Sequence, residues 1–328
     1  MADSTAPASV PAARRIARPH RRKLSRALTL FFFAAVVVAL VVYARSIKWA
    51  PVLDAIHAYR ASTLALAAGL AALSCLLYAT FDLLTHAHAE HRVPWPWVVG
   101  IAFTGYTFNL NLGPWIGSFG VRLRLYSRLG VGSAQVLRMI AFTTLTNWLG
   151  YLALAGVLFA VAFVPVLPQD WMLGRQALRA IGVAMVGLAV AYCLLCAFAT
   201  KRVYHVRGIT LRLPPLRMAL LQTVLAAANW MLIAAVPFVL LKGAVPFSLA
   251  LVSLLLACAV GAIAHIPAGI GVIDAVLLAT LGREVPTHEM VAALLVYRAV
   301  YYLWPFALGL LTYVVLETTV RRRKRARA

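Results

Sequence analysis

Acidic residues are scarce in this sequence: nine Asp and Glu among 328 residues, against 31 Lys and Arg. Charged residues of both signs make up only 12% of the chain, hydrophobic residues 63%, and the mean hydropathy is +0.87. A water-soluble domain of that composition would expose too much apolar surface, so the chain is expected to be a polytopic membrane protein. Cysteine is sparse too. Cys75, Cys193, Cys196 and Cys258 all lie in apolar tracts, which argues against a disulfide framework. Cys193-Leu-Leu-Cys196 reads as two small packing residues on a membrane helix rather than a redox pair. A Gly-x-x-x-x-Gly-Lys-Ser/Thr loop is missing, which removes that route to ATP-driven work. No cofactor is expected.

The net charge of +22 would suit a nucleic-acid binder, but its distribution does not. Most basic residues flank apolar segments, where they set membrane orientation and meet anionic lipid headgroups. Of the 31, 22 fall in the N-terminus, residues 86–93, 118–132 and 200–217, and the C-terminus. Seven lie in the other connections, and Arg138 and Arg298 lie within helical tracts. The richer set is assigned to the cytoplasm, with both termini.

In chain order, residues 1–26 are a basic, disordered tail, and 27–44 form an uncleaved first span. A short interfacial connection (45–60) leads to a second span, 61–85. His86, His88, Glu90 and His91 follow as a polar loop, with no spacing that fixes a metal geometry. Residues 94–130 are apolar but interrupted by Asn109, Asn111, Gly113, Pro114, Gly117 and Gly120. A long helix runs over 133–164, with Ser133 as its N-cap. After a connection and a span at 177–199 comes a basic loop, 200–217. A span at 216–241, a second interrupted region at 246–282, a long helix at 287–319 and a basic tail from 320 complete the chain.

The second interruption, His265-Ile-Pro267-Ala-Gly269-Ile-Gly271-Val-Ile-Asp274, is the most informative stretch. Pro267 breaks a helix, and Gly269 and Gly271 permit unusual backbone angles. Broken backbone in hydrocarbon requires protein or water to satisfy it, and a carboxylate there costs roughly 2.5–3.5 kcal/mol on insertion scales. A discontinuous segment lining a site is therefore predicted. Arg298 lies about 11 residues into its helix, too deep to snorkel with ease, and an ion pair with Asp274 would offset both burial costs. His265 is a neutral hydrogen-bonded histidine or a proton carrier. No nucleophile is spaced to join His265 and Asp274, so an enzyme is not expected. Asp82 reads as a boundary residue near the end of its span.

Charge counting constrains topology as well. Residues 86–93 and 118–132 fall on one side, so 94–130 must enter and return, and 246–282 must do the same from the opposite face. The predicted fold is an all-α polytopic membrane protein with an inverted-topology repeat. It has about six full spans and two broken re-entrant hairpins, divided into a tail (1–26), halves 27–175 and 176–319, and a second tail (320–328). Asn147-Trp148-Leu149 and Tyr301-Tyr302-Leu303 sit at matching depths in the two long helices. Paired broken segments in inverted halves are a transporter pattern.

Two blocks carry a resemblance. The first is Gly117-Ser-Phe-Gly-Val-Arg122-Leu-Arg124-Leu-Tyr126-Ser-Arg128-Leu-Gly130 with Thr146-Asn147-Trp148-Leu149-Gly150-Tyr151. The second is the His265–Asp274 stretch with Ala292-Ala-Leu-Leu-Val-Tyr297-Arg298-Ala-Val-Tyr301-Tyr302. Both resemble the flippase-like membrane domain of the lysylphosphatidylglycerol synthase family, in its stand-alone bacterial inner-membrane form. That form usually carries Glu where this chain has Asp274. The synthases also carry a soluble aminoacyl-transferase domain, and the chain ends at Ala328 without one, so it is not expected to make the aminoacyl lipid.

The resemblance implies phospholipid movement between leaflets of the bacterial cytoplasmic membrane. Headgroups, anionic ones foremost, would pass a polar path between the broken hairpins, without ATP. Arg122, Arg124 and Arg128 have guanidinium forks that suit phosphate oxygens, or they serve as orientation charges. Asn109, Asn111 and Asn147 satisfy broken backbone or line the path, and Tyr126, Tyr297, His265, Asp274 and Arg298 complete the candidate set. A rival expectation is a non-transporting partner that presents lipid to, or receives it from, a separate phospholipid-synthesising enzyme.

Overall fold

The structure, a computed structural model, describes residues 49–86, 93–161, 174–200, 202–206, 209–264 and 269–325. Among these the chain is helical apart from one short β-hairpin. Helix α1 (Trp49–His57) precedes α2 (Ala61–His86) and α3 (Trp95–Leu112). A π-helical segment (Trp115–Val121) runs into α4 (Arg122–Arg128), followed by α5 (Ser133–Ala160) and α6 (Arg175–Phe198). Strands β1 (Val203–Val206) and β2 (Ile209–Arg212) come next, then α7 (Leu216–Leu240), α8 (Phe247–Ala264), α9 (Val272–Leu281) and α10 (Thr287–Tyr297). A second π-helical segment (Arg298–Leu303) leads into α11 (Trp304–Arg325).

Six helices among the described residues are long and apolar enough to cross a membrane: Ala61–Thr85, Ser133–Ala160, Arg175–Phe198, Leu216–Leu240, Phe247–Ala264 and Thr287–Val320. Five coincide with predicted crossings. The sixth, α8, was predicted as one arm of the second hairpin, but its 18 residues give it about 27 Å, nearly a bilayer core. The predicted first crossing at 27–44, the tail 1–26, and His265 and Pro267 lie outside the described residues.

Three local expectations are corrected. The residue preceding α5 is Gly132, with no side-chain cap, and Ser133 is the first helical residue. The basic stretch 200–217 is not simply a loop: Val203 pairs with Arg212 and Val206 with Ile209 in an antiparallel ladder. The C-terminal basic run begins inside α11, which continues to Arg325. Arginines in a helix's last turn suit its negative dipole end.

Both interrupted regions fold back on themselves. In the first, Gly113 has φ +83°. A Cβ on Gly117 would lie 2.0 Å from the backbone N of Asn109, and one on Gly105 would lie 2.7 Å from Arg122 Nε. Those two pairs flank Gly113 almost symmetrically, so the π segment and α4 return along α3. In the second, Gly269 and Gly271 have φ +56° and +79°. Ile273 of α9 lies against Gly261 of α8. The second π segment precedes Pro305, which cannot donate a backbone hydrogen bond to the preceding turn. Asn111 Nδ2 takes up one carbonyl of that segment, Tyr302 O, at 3.2 Å, and also bonds Thr107 O at 2.9 Å.

The main apolar core joins α2, α5 and α7 to α8, α9 and α10 through residues such as Tyr151, Ile233, Leu254, Leu277 and Tyr297. A second cluster packs the first hairpin on α5 through Ile101, Leu125, Tyr126, Met139 and Ile140.

Candidate functional site

Asp82, Asp274 and Glu317 lie in apolar helices, and arginine engages each of the three. Asp274 and Arg298 meet as a fork. Arg298 Nη2 lies 2.8 Å from Asp274 Oδ2, and Nε lies 3.3 Å from Oδ1. Asp274 is the third residue of α9 and also accepts the Gly271 N–H at 3.0 Å. It therefore closes the helix start that the glycine break creates, where the positive end of the helix dipole favours a carboxylate. Arg298 Nη2 further donates to Gly269 O at 3.3 Å, and its guanidinium lies 4.5 Å from the centre of the Tyr302 ring. The pair expected from burial cost is thus present. It is only partly covered, with the two side chains 18% and 29% exposed.

A chain of tyrosines leads inward from this fork. The Tyr302 ring meets Tyr301 and Tyr297 edge-on, and Tyr297 and Tyr301 stack at 5.5 Å. The Tyr301 hydroxyl lies 2.7 Å from that of Tyr106 and 3.3 Å from Ser74 Oγ. Ser74 donates to Asn229 Oδ1 at 2.9 Å, and Tyr106 stacks on Tyr78 at 3.8 Å. All of these inner groups are buried. Four elements thereby share one polar node in an otherwise apolar interior, where each pairing is stronger than in water.

The second ion pair is sealed. Arg122 Nη1 lies 3.1 Å from Asp82 Oδ1, with side-chain exposures of 1% and 0%. Asp82 also accepts from Thr143 Oγ1 at 2.5 Å. Asp82 is therefore no boundary residue: it anchors the returning arm of the first hairpin to α2 and α5. Among the described residues, Arg122 Nε and Nη2 have no hydrogen-bond partner. Gly105 leaves the space through which this guanidinium passes.

The third carboxylate, Glu317 on α11, is shared by Arg124, at 3.3 Å, and Arg128. The other candidates are spread more widely. Tyr126 is buried in the first hairpin's apolar cluster. Asn109 is half-buried, and its Oδ1 lacks a hydrogen-bond partner among the described residues. Asn147 contributes its backbone carbonyl, which accepts from Trp230 Nε1 at 3.1 Å. The structure thus brings Asp274, Tyr297 and Arg298 together and places Arg122 elsewhere, against Asp82. Ser74, Tyr106, Asn229, Asp82 and Glu317 were not selected from sequence. Their common signal is a polar side chain inside a long apolar helix.

Comparison with known proteins agrees with this architecture. The family described as the lysylphosphatidylglycerol synthase TM region matches residues 27–309. The inner membrane protein YbhN of Escherichia coli (strain K12) is 38% identical over 305 residues, covering 93% of this chain and 96% of that protein. An uncharacterized protein of Synechocystis sp. is 26% identical over 280 residues, covering 84% and 86%. The broken segments and the Asp82–Arg122 and Asp274–Arg298 pairs fall inside the matched region, and this chain belongs to the family of the lysylphosphatidylglycerol synthase transmembrane region.

Proposed function

We propose that this protein translocates phospholipids between the leaflets of a bacterial cytoplasmic membrane, with both termini in the cytoplasm and without ATP. The observation that carries this reading is the partly open Asp274–Arg298 fork. It places a cation and an anion, both reachable, where broken backbone interrupts an apolar bundle. Such a site offers a headgroup phosphate a guanidinium while acyl chains remain in the bilayer. The folded-back hairpins support a pair of inverted halves with the site near the membrane midplane. The family relationship to a lipid synthase's membrane region supports lipid handling.

The test is reconstitution into liposomes that carry headgroup-labelled phospholipid in one leaflet. The protein should accelerate loss of asymmetry, and Asp274→Asn and Arg298→Gln should abolish that acceleration while remaining monodisperse. Wild-type protein that leaves asymmetry unchanged, across anionic and zwitterionic lipids, overturns the proposal.

A further inference from the structure

We propose that Arg124 and Arg128 form a docking site for the phosphate of an anionic phospholipid, and that Glu317 is the internal competitor that sets its affinity. This deepens the translocation reading, on which it rests, by naming the headgroup charge and the point of entry. The two arginines lie one helical turn apart on α4 and converge on the same oxygen, Oε1 of Glu317. Guanidiniums that converge on one carboxylate oxygen are also placed to grip a phosphate oxygen. Two guanidiniums share a single carboxylate oxygen, which favours a phosphodiester carrying no amine.

Exposure fixes the order of approach. Arg124 and Arg128 are 52% and 29% exposed at the side chain, and Glu317 is 9% exposed behind them. A headgroup therefore meets the cations first. Glu317 stands four residues before the basic run that opens with Arg321, the composition that marks a headgroup layer. The Asp82–Arg122 pair, in contrast, is closed to entry. A zwitterionic headgroup would bring its own ammonium against the arginines and gain less.

The experiment measures lipids retained by the purified full-length protein after detergent washing, from an equal mixture of phosphatidylglycerol and phosphatidylcholine, by mass spectrometry. Glu317→Gln should raise retained phosphatidylglycerol about fivefold, the change expected when one basic residue is released toward an anionic headgroup. Phosphatidylcholine should not change. Arg124→Gln and Arg128→Gln should each lower phosphatidylglycerol by a similar factor. Glu317→Asp, which keeps the charge and retracts it, should fall between wild type and Glu317→Gln, and it preserves the test if the glutamine variant does not fold.

The inference is overturned if phosphatidylglycerol stays level or falls in monodisperse Glu317→Gln, if phosphatidylcholine rises in parallel, or if millimolar inorganic phosphate displaces the lipid as readily as free lipid does. The same variants in the liposome assay separate the two proposals. Expected retention without translocation by any protein sinks the translocation reading alone, and translocation with unchanged retention sinks the docking site alone.

Discussion

Ser74 donates a hydrogen bond to Asn229 Oδ1 at 2.9 Å, and each residue lies thirteen positions after the start of its helix, Ala61 for α2 and Leu216 for α7. Two related halves of opposite orientation would place such a contact on their common axis. The flanking contacts lie at similar depths in their helices. Tyr301 lies fourteen residues after Thr287 and reaches Ser74. Asn147 lies fourteen after Ser133 and accepts from Trp230, the neighbour of Asn229. Interhelical hydrogen bonds in membranes couple by about 0.6 kcal/mol on average and up to about 1.7. Ser74→Ala and Asn229→Ala should therefore show a coupling energy in that range when combined, measured by a double-mutant cycle of unfolding in mixed micelles. Additive effects would mean that the contact does not hold the helices together.

The fork between Asp274 and Arg298 separates a structural from a functional role through charge reversal. Exchanging the two, as Asp274→Arg with Arg298→Asp, restores an opposite-charge pair but moves the cation from α10's end to the start of α9. There the helix dipole disfavours it and the Gly271 N–H loses its acceptor. The double variant should recover part of the thermal stability lost by either single reversal, yet show no lipid translocation in liposomes. Full recovery of translocation would assign the pair to architecture alone.

Some of these relationships could be read along the chain, because depth in a helix is a one-dimensional quantity. Arg298 is too far from either helix end to reach water easily, and Asp274 follows two glycines and a proline, so their pairing was foreseeable. Asp82 was not, because its position late in α2 suggests an interface. Only the return of the first hairpin brings Arg122 over it. Charge counting also treated Arg122, Arg124 and Arg128 alike, whereas α4 turns the first inward and leaves the other two on an exposed face. The strands β1 and β2 were hidden for a similar reason. Their apolar residues, Val203, Val206, Ile209 and Leu211, are interspersed among five basic residues in 200–217.

The sealed Asp82–Arg122 pair should dominate stability. Removing one member of a buried pair leaves the other charge uncompensated, at a cost of about 3–5 kcal/mol. Arg122→Gln and Asp82→Asn should each lower the unfolding midpoint in detergent strongly. Replacing both with apolar residues of similar volume, as Asp82→Leu with Arg122→Met, should recover much of that loss. A double variant as unstable as either single one would show that the pair's hydrogen bonds, Thr143 included, matter more than its charge balance.

Two glycines in the first hairpin should differ sharply in their tolerance of a methyl group. At Gly117 the new Cβ would lie 2.0 Å from the backbone N and 2.4 Å from the Cα of Asn109. Backbone in a packed helix cannot retreat, so Gly117→Ala should force the π segment away from α3 and sharply lower the yield of monodisperse protein. At Gly105 the obstacle is Arg122 Nε at 2.7 Å, part of a side chain that can shift by changing rotamer. Gly105→Ala should therefore fold, with a loss of about 1–3 kcal/mol typical of overpacking. Because the displaced guanidinium also stretches its pair with Asp82, adding Asp82→Asn to Gly105→Ala should cost less than Asp82→Asn alone. Unfolding midpoints of the four proteins check this directly. Strictly additive losses would show that Gly105 does not serve to seat Arg122.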